Sequence, residues 1–596
     1  MKFSDLSVYL EKLENTSSRN AMTEILASIF QRASREEIDK ISYLLLGELL
    51  PAYKGLEFNI AEKIMTQALA LAFDQSPAYI TKKYKSAGDL GNVAHELAQQ
   101  QKNKKAKNFS VNYLYDALLE IAAESGEGSQ ERKIKKMAEL LSNLDARSVK
   151  FVVRMPLGKM RLGFSEATIL DALSVANKGD KSARPLIERA YNVTADIGAI
   201  TKKIKMGGLA MLKKIETNPG VPVRPSLAER LPGAVETIKK AGPLVGVEKK
   251  LDGFRTQLHA WKEGGQKRIA LFSRNLENTT LMFPEITASA RKLKTDNIIL
   301  DGETIGYNAK TGKFAAFQET VQRKRKYEIE EFAKKIPLHI FVFDILHLNG
   351  RSLLNLPFRK RRAILEKVIP VQGIGALMLA RQTETASPAL IEKELGKSVE
   401  AGLEGLVVKN LEAPYQAGSR GFHWIKLKAT TAALEKLRSG QARGKNQLLD
   451  TIDCVIMGGY RGRGKRAGFG VGGLLLGIRG PEDKYYTVSR LGTGLSDEQF
   501  REANKRVEKL KAPEMPKSYV ADKEIAPDIW ARPALVVEIL ADEITLSPRH
   551  TAGRHGSNTR GYSLRFPRLV RFRDDKNPED ATTVEEIKKM YKAQKK

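Results

Sequence analysis

Residues 246–259 read Gly246-Val-Glu248-Lys249-Lys250-Leu-Asp252-Gly253-Phe254-Arg255-Thr256-Gln-Leu258-His259. Val245 and Val247 precede Asp252-Gly253, and Phe254, Thr256 and Leu258 follow it in alternation. A period of two on both sides of an Asp-Gly dipeptide predicts strand, turn, strand. Lys250 then ends a strand, with Lys249 and Arg255 close by. Free lysine titrates near ~10.4 and is all ammonium at neutral pH. Nearby cations and partial burial lower that value and release the amine as a nucleophile. A surface hairpin with a solvated lysine fits the same letters, so the six residues from Lys250 to Arg255 do not decide the matter alone.

Outward from this stretch, from Pro219 to Lys428, strand-like runs alternate with helix-like ones. Leu271-Phe-Ser273-Arg274-Asn275 comes first. Ile298-Ile-Leu-Asp301-Gly302-Glu303 is a strand carrying a carboxylate, and His339-Ile-Phe-Val-Phe343-Asp344 is a buried strand. Glu404-Gly405-Leu-Val-Val-Lys409, Arg420 and Trp424-Ile-Lys426-Leu-Lys428 follow. Each has a plain account taken singly. An acidic residue at a strand end makes a solvated turn, alternating lysines make an edge strand, and Phe343 makes core.

Taken in this order, the series from Glu248 to Lys428 resembles the motifs of ATP-dependent DNA ligases of the archaeal and eukaryotic replicative type, within the nucleotidyltransferase superfamily. The resemblance implies ATP as cofactor and a phosphoramidate between Lys250 and AMP. By the same resemblance Lys426 and Lys428 contact the α-phosphate, and Glu404 binds Mg²⁺, with Mn²⁺ as the alternative ion. Glu303 holds the ribose or joins the metal site, and Phe343 stacks on adenine. Glu248 accepts a hydrogen bond from the adenine amino group. Arg255, Arg274 and Arg420 bind the sugar, the phosphates or the 5′-phosphate of a nick, a task that suits the planar guanidinium.

The flanks extend the resemblance. Residues 1–217 read as helices, for example Ser34 and Glu37 as a capping box ahead of Ile38, Ile41, Leu44 and Leu45. Within them Arg154-Met-Pro-Leu-Gly158-Lys159-Met-Arg161-Leu-Gly163-Phe-Ser165 sets two cations between glycines, with Ser165 placed to cap the next helix. It resembles the Gly-rich loop of the family's DNA-binding domain, so Lys159 and Arg161 are DNA contacts by that resemblance; a plain helix connection is the alternative. The run 322–327, with Arg323, Lys324 and Arg325, is expected to face DNA, with a solvated helix face as the alternative. After Lys428 come short strands of a small barrel of the OB type. A cationic loop, 460–466, carries Arg463 and Lys465. Arg565, Arg568, Arg571 and Arg573 lie in a stretch that resembles the family's C-terminal motif, whose basic residues orient the triphosphate. Thr583 and Glu586 cap a final helix. The expected organisation is an all-α DNA-binding domain (1–217), an α+β adenylation domain (218–430) and an OB domain with a C-terminal helix (431–596). The connection around 429–450 is longer than the family pattern, which leaves the hinge position open.

Composition agrees with a polyanionic partner, nucleic acid first and an acidic membrane surface second, with a generally basic proteome or a solubility adaptation as the plain account. Lys plus Arg number 100 against 70 Asp plus Glu, a net charge of +30 over 596 residues. One cysteine, Cys454, excludes an intrachain disulfide and a four-cysteine zinc site, and with the latter the zinc module of NAD⁺-dependent ligases. No signal-peptide core and no apolar run of transmembrane length is present, so the expectation is a soluble intracellular monomer, in the cytoplasm or nucleoid if the source is a prokaryote, and no membrane. The expected substrate is nicked double-stranded DNA, sealed in replication, recombination and repair. A sliding clamp is an open partner without a recognisable motif. An RNA ligase or capping enzyme is the rival enzyme reading, opposed by the large helical region. A DNA-binding protein with an inactive core is the rival of another class, opposed by the intact motifs.

Overall fold

A computed structural model describes the chain except residues 102–105, 232, 309–310, 312, 316, 326, 402, 429–450, 463, 493–494, 555, 557–558 and 596. The chain forms two compact units, Met1–Ile391 with Leu406–Leu427, and Glu392–Gly405 with Lys428–Lys596.

The first third is helical. Its helices start where short polar side chains satisfy the first free amides. Asp89 accepts from the Asn92 amide at 2.8 Å, and Ser110 from the Tyr113 amide at 3.1 Å. The Ser34–Glu37 pair forms in the Glu37 direction, the carboxylate accepting the Ser34 amide at 2.8 Å before the helix Ile38–Leu46. Ser165 departs from expectation: it sits at the N-cap of Glu166–Lys178, but its side chain makes no capping bond. The apolar stripes meet in one core that continues to Ile299, Leu346, Leu354, Tyr415 and Trp424 of the following region. Each fully buried Leu or Ile contributes roughly 1.5–3 kcal/mol to holding these parts together.

The chain leaves the helices through a strap, residues 217–223, fixed by side chains of the sheet below it. Thr217 Oγ1 meets His347 Nδ1 at 2.8 Å. The Gly220 amide donates to His259 Nδ1 at 3.0 Å, and Gln257 bonds both the N–H and the C=O of Val223. His259 Nε2 lies 2.9 Å from Gln257 Oε1. An acceptor at Nδ1 and a donor at Nε2 define a neutral imidazole. Burial pushes its pKa down to about 3.

Two sheets follow. The first contains β1 (Leu227–Arg230) and β2 (Val245–Lys250). The second contains β3 (Phe254–Glu263), β4 (Gln266–Ser273), β5 (Asn297–Asn308), β6 (Lys313–Phe314), β7 (Leu338–Leu348), β8 (Arg351–Ser352) and β9 (Leu377–Leu379). The chain then returns to the first sheet with β10 (Gln382–Thr385), β11 (Gly405–Asn410) and β12 (Arg420–Lys428). The strand orders are β1-β12-β11-β2-β10 and β4-β3-β5-β7-β8, with β6 on β5 and β9 on β7. The strands flanking Asp252-Gly253 are therefore not a hairpin. The turn carries the chain from one sheet to the other.

In the second unit β13 (Ile452–Arg461), β14 (Val471–Arg479) and β15 (Tyr485–Leu491) form an antiparallel meander, close to the expected strands. Short strands β16 (Lys511–Ala512), β17 (Tyr519–Val520) and β18 (Ile529–Ala531) extend it. β19 (Val536–Leu540) returns to β13, and β20 (Glu543–Ser547) pairs with β21 (Gly561–Arg565). β22 (Arg568–Phe572) pairs with β19. Thr583 and Glu586 cap the last helix, Val584–Lys595, each bonding the other's amide at 2.7 and 3.2 Å.

Candidate active site

Lys250 is the last residue of β2, half-buried where the chain turns toward β3. Period-two alternation sets Gly246, Glu248 and Lys250 on one face of β2. Gly253 explains the turn. A Cβ there would stand 2.3 Å from the Thr304 carbonyl oxygen, so only glycine lets the chain pass this close to β5. The Gly253 amide donates to Glu303 Oε1 at 3.2 Å. Glu303 is half-buried, and desolvation pushes its pKa up to about 7 against the pull of Lys250, Arg255 and the Gly253 amide. The nucleophile candidate and the carboxylate candidate thus feel each other's charge.

Arg255 stands opposite Glu303 in the β3–β5 register. Its guanidinium grips Asp301 with two bonds, 3.0 and 2.6 Å, and donates to the Ser226 carbonyl at 2.6 Å. Tyr415 closes this network. Its hydroxyl donates to Asp301 Oδ2 at 2.8 Å and accepts from Arg255 at 3.1 Å and from the Ser226 amide at 3.0 Å. Arg255 also lies 5.4 Å from the Phe343 ring and 5.1 Å from Trp424, where the faces of the two sheets meet.

On the first sheet Glu248 is buried and pairs with Lys409 at 2.7 Å. The Lys409 ammonium is ringed by Phe343, Trp424 and Phe358 at 4.4, 4.6 and 4.7 Å. Burial pushes the Glu248 carboxyl up and the Lys409 ammonium down, and their contact opposes both shifts. Glu248 Oε1 is buried without a hydrogen-bond partner among the described residues. A free acceptor beside the half-buried Phe343 ring suits an adenine amino group and ring, so these residues fit a bound nucleotide.

Other candidates fall as follows. Lys426 is half-buried on β12, and Arg420 is exposed, 3.5 Å from Glu229. Arg274 is exposed and lines a cleft of about 290 Å³ with Glu48, Glu166 and Arg224. Glu404 is half-buried, one residue before β11. Among the described residues no three His, Cys, Asp or Glu side chains converge as a metal cluster. Mg²⁺ needs none, since it commonly takes one or two carboxylates together with substrate phosphates and water. The half-buried Glu303 carboxylate fits that donor class. Lys159 and Arg161 hold positions in the Gly-rich loop through Glu62 at 2.6 Å and Asp89 at 2.9 Å. Arg161, Gly158 and Gly163 all have positive φ, which sets the loop's tight path. Lys324 is exposed and pairs with Glu277 at 2.6 Å, and Arg325 stacks 3.6 Å from the Phe332 ring. Arg323 requires a correction: it is fully buried on Glu285 at 2.7 Å and faces the core, not DNA, because a short 3₁₀ turn folds it inward. Arg565, Arg568, Arg571 and Arg573 pair with Glu543, Asp542, Glu538 and Asp453 at 2.7, 2.5, 2.7 and 3.2 Å. Arg463 and the side chains of Lys428 and Lys465 lie outside the described residues.

Three family profiles match the chain: the DNA ligase N terminus over residues 2–174, the ATP dependent DNA ligase domain over 225–428, and the ATP dependent DNA ligase C terminal region over 467–576. The chain belongs to the ATP-dependent DNA ligase family. It is 44% identical over 599 residues to the Probable DNA ligase of Dictyoglomus turgidum, covering 100% of this chain and 98% of that protein. It is 38% identical over 623 residues to the DNA ligase of Staphylothermus marinus, covering 100% and 99%. Its fold is similar to the solved structure called Pmar-Lig_PreS3, with a TM-score of 0.54 at 16% identity over 95% of this chain and 99% of that one. Family membership makes the chain an enzyme of the DNA ligase class that uses ATP, with a helical N-terminal part, an adenylation part and a β-rich C-terminal part.

Lys409, Asp301 and Tyr415 were not assigned roles from the sequence. Lys409 had a signal, as the single charge in an otherwise apolar strand run, and Asp301 had one as the carboxylate next to Gly302-Glu303 on β5. Tyr415 sits in a loop and had none.

Proposed function

We propose that this protein seals 5′-phosphate/3′-hydroxyl nicks in duplex DNA through a lysine–AMP adduct on Lys250. The observation that carries the reading is the convergence, across one glycine turn, of Lys250 and Glu248 on one sheet with Arg255, Glu303 and Phe343 on the other. In the first step the neutral Lys250 amine attacks the α-phosphorus of ATP. A nitrogen–phosphorus bond forms, the bond to the β-phosphate oxygen breaks, and pyrophosphate and a proton leave. AMP then passes to a 5′-phosphate oxygen at the nick, freeing Lys250. The 3′-hydroxyl attacks the DNA phosphorus, and AMP departs. Phe343 and Glu248 hold the base, and Lys426, Lys428 and Arg255 offset phosphate charge. Arg274 and Arg420 serve the sugar, phosphates or nick phosphate. Bound Mg²⁺, or Mn²⁺ in its place, would supply Lewis-acid charge at the phosphates, with Glu404 as its ligand and Glu303 either joining it or holding the ribose.

Lys159, Arg161, Lys324, Arg325, Arg463 and Lys465 bind the DNA backbone without reading sequence. Arg565, Arg568, Arg571 and Arg573 orient the triphosphate. The domains divide at 217/218 and 430/431, so that different faces meet the active site in different steps. The protein works as a monomer in replication, recombination and repair. The test is incubation of the protein with α-³²P-ATP and Mg²⁺ without DNA. An acid-labile label present in wild type and absent in Lys250→Ala is expected. Label retained by Lys250→Ala refutes the nucleophile, and no label in folded, unadenylylated wild type refutes the ATP reaction.

A further inference from the structure

β10 runs antiparallel to β2 and sets Gln382 directly opposite Glu248. Residues so paired share one face of the sheet, with Cβ atoms about 5 Å apart. The Gln382 amide lies along Gly246. A Cβ on Gly246 would stand 2.0 Å from Gln382 Nε2, so glycine at 246 is what leaves the amide its place. Both amide atoms, Oε1 and Nε2, are buried with no hydrogen-bond partner among the described residues, and so is Glu248 Oε1. Buried polar atoms are rarely left unpaired, because each keeps its full desolvation cost. Three such atoms stand on one face of two paired strands. The Arg362 guanidinium, with its own unpaired buried Nη1, acts on Glu248 and Lys409 from the helix Phe358–Val368.

This inference rests on the nucleotide reading of the site given above. The geometry points to Gln382 as a specificity-determining residue, its amide reading the polar edge of adenine beside Glu248. The adenine amino group has two N–H donors, and each ring nitrogen next to it is an acceptor. Glu248 Oε1 takes one N–H. Gln382 Oε1 takes the other, and Nε2 donates to the adjacent ring nitrogen. Glutamine makes a two-point pairing of this kind with adenine N6 and N7 in the DNA major groove. One ligand group then satisfies all three unpaired atoms. Guanine carries a carbonyl in place of the amino group. Its oxygen would face Glu248, a carboxylate held in place by Lys409 and without a proton to donate.

The test uses the full chain, freed of bound AMP with pyrophosphate, in single-turnover formation of the acid-labile Lys250–AMP bond. The nucleotides are ATP, 1-deaza-ATP and 7-deaza-ATP, each analogue lacking one ring nitrogen that flanks the amino group. Wild type is expected to bind one analogue about tenfold more weakly than ATP. Gln382→Leu is expected to weaken ATP by about tenfold at nearly unchanged maximal rate, and to abolish the penalty for that same analogue. Wild-type affinity for ATP in Gln382→Leu overturns the assignment. So does weakened ATP binding with the analogue penalty intact, the mark of a structural role. If Gln382→Leu does not fold, wild type alone decides, and equal use of all three nucleotides overturns it. Absence of label with every nucleotide sinks the lysine–AMP reading and this one with it, an outcome distinct from equal labelling.

Discussion

His259 holds the strap between the helices and the adenylation sheets, and acid should release it. Its Nδ1 accepts the Gly220 amide at 3.0 Å, so a proton at Nδ1 would set two donors against each other in a site without water access. Burial keeps the folded pKa at about 3, while an opened histidine titrates near ~6.5. Between those values the opened form binds the extra proton, so stability is present above pH ~6.5 and falls as pH drops through that value. Between pH 7 and pH 5 the loss is about 2 kcal/mol, a factor of roughly 25 in the opening equilibrium. Hydrogen exchange of residues 217–223, corrected for the intrinsic pH dependence of amide exchange, measures it. Wild type should lose about 25-fold of protection over that interval. His259→Asn keeps an acceptor near the Nδ1 position and removes this titration, so its protection should fall much less, the remainder coming from His347, which burial also holds below its usual range. An equal drop in both proteins would refute the reasoning.

Three further outcomes are expected. Lys409→Met leaves the buried Glu248 carboxylate unpaired and should cost about 3–5 kcal/mol, seen as a fall in Tm. Adding Glu248→Gln should recover part of that loss, and additive losses would argue against the pairing. Tyr415→Phe removes the hydroxyl shared by Asp301, Arg255 and the Ser226 amide, and should cost about 1–3 kcal/mol. It should also slow Lys250–AMP formation, and an unchanged rate would show that Arg255 holds its place without it. Arg323→Ala should destabilise the fold by about 3 kcal/mol with no change in the salt dependence of DNA binding. Lys159→Ala should instead reduce the slope of log K against log salt by about one. The opposite pattern would restore Arg323 as a DNA contact.

What the sequence by itself determined was local. Helical periodicity marked the first third, period-two alternation marked the strands of the middle and last thirds, and Asp252-Gly253 marked the turn after Lys250. These follow from nearest-neighbour geometry, which a chain carries in its own spacing. Resemblance then supplied the ligase reading and its candidate residues, and the family comparisons agree with the reading. The tertiary structure decided which charges are solvent-facing and which are held. Arg323 and Arg325 read alike in the basic run 322–327, yet the former is buried on Glu285 and the latter lies against Phe332. Strand partnership was likewise not legible. β2 and β3 adjoin in sequence, yet β2 pairs with β10 and β11, and β3 with β4 and β5. Nothing in the spacing sets Gln382 beside Glu248 across more than a hundred residues, or joins Tyr415 to Asp301. Hydrogen bonding between strands and the cost of burying an unpaired polar group act on groups distant in the chain. Only the folded arrangement reveals which atoms those forces left paired and which, among the described residues, they left unpaired.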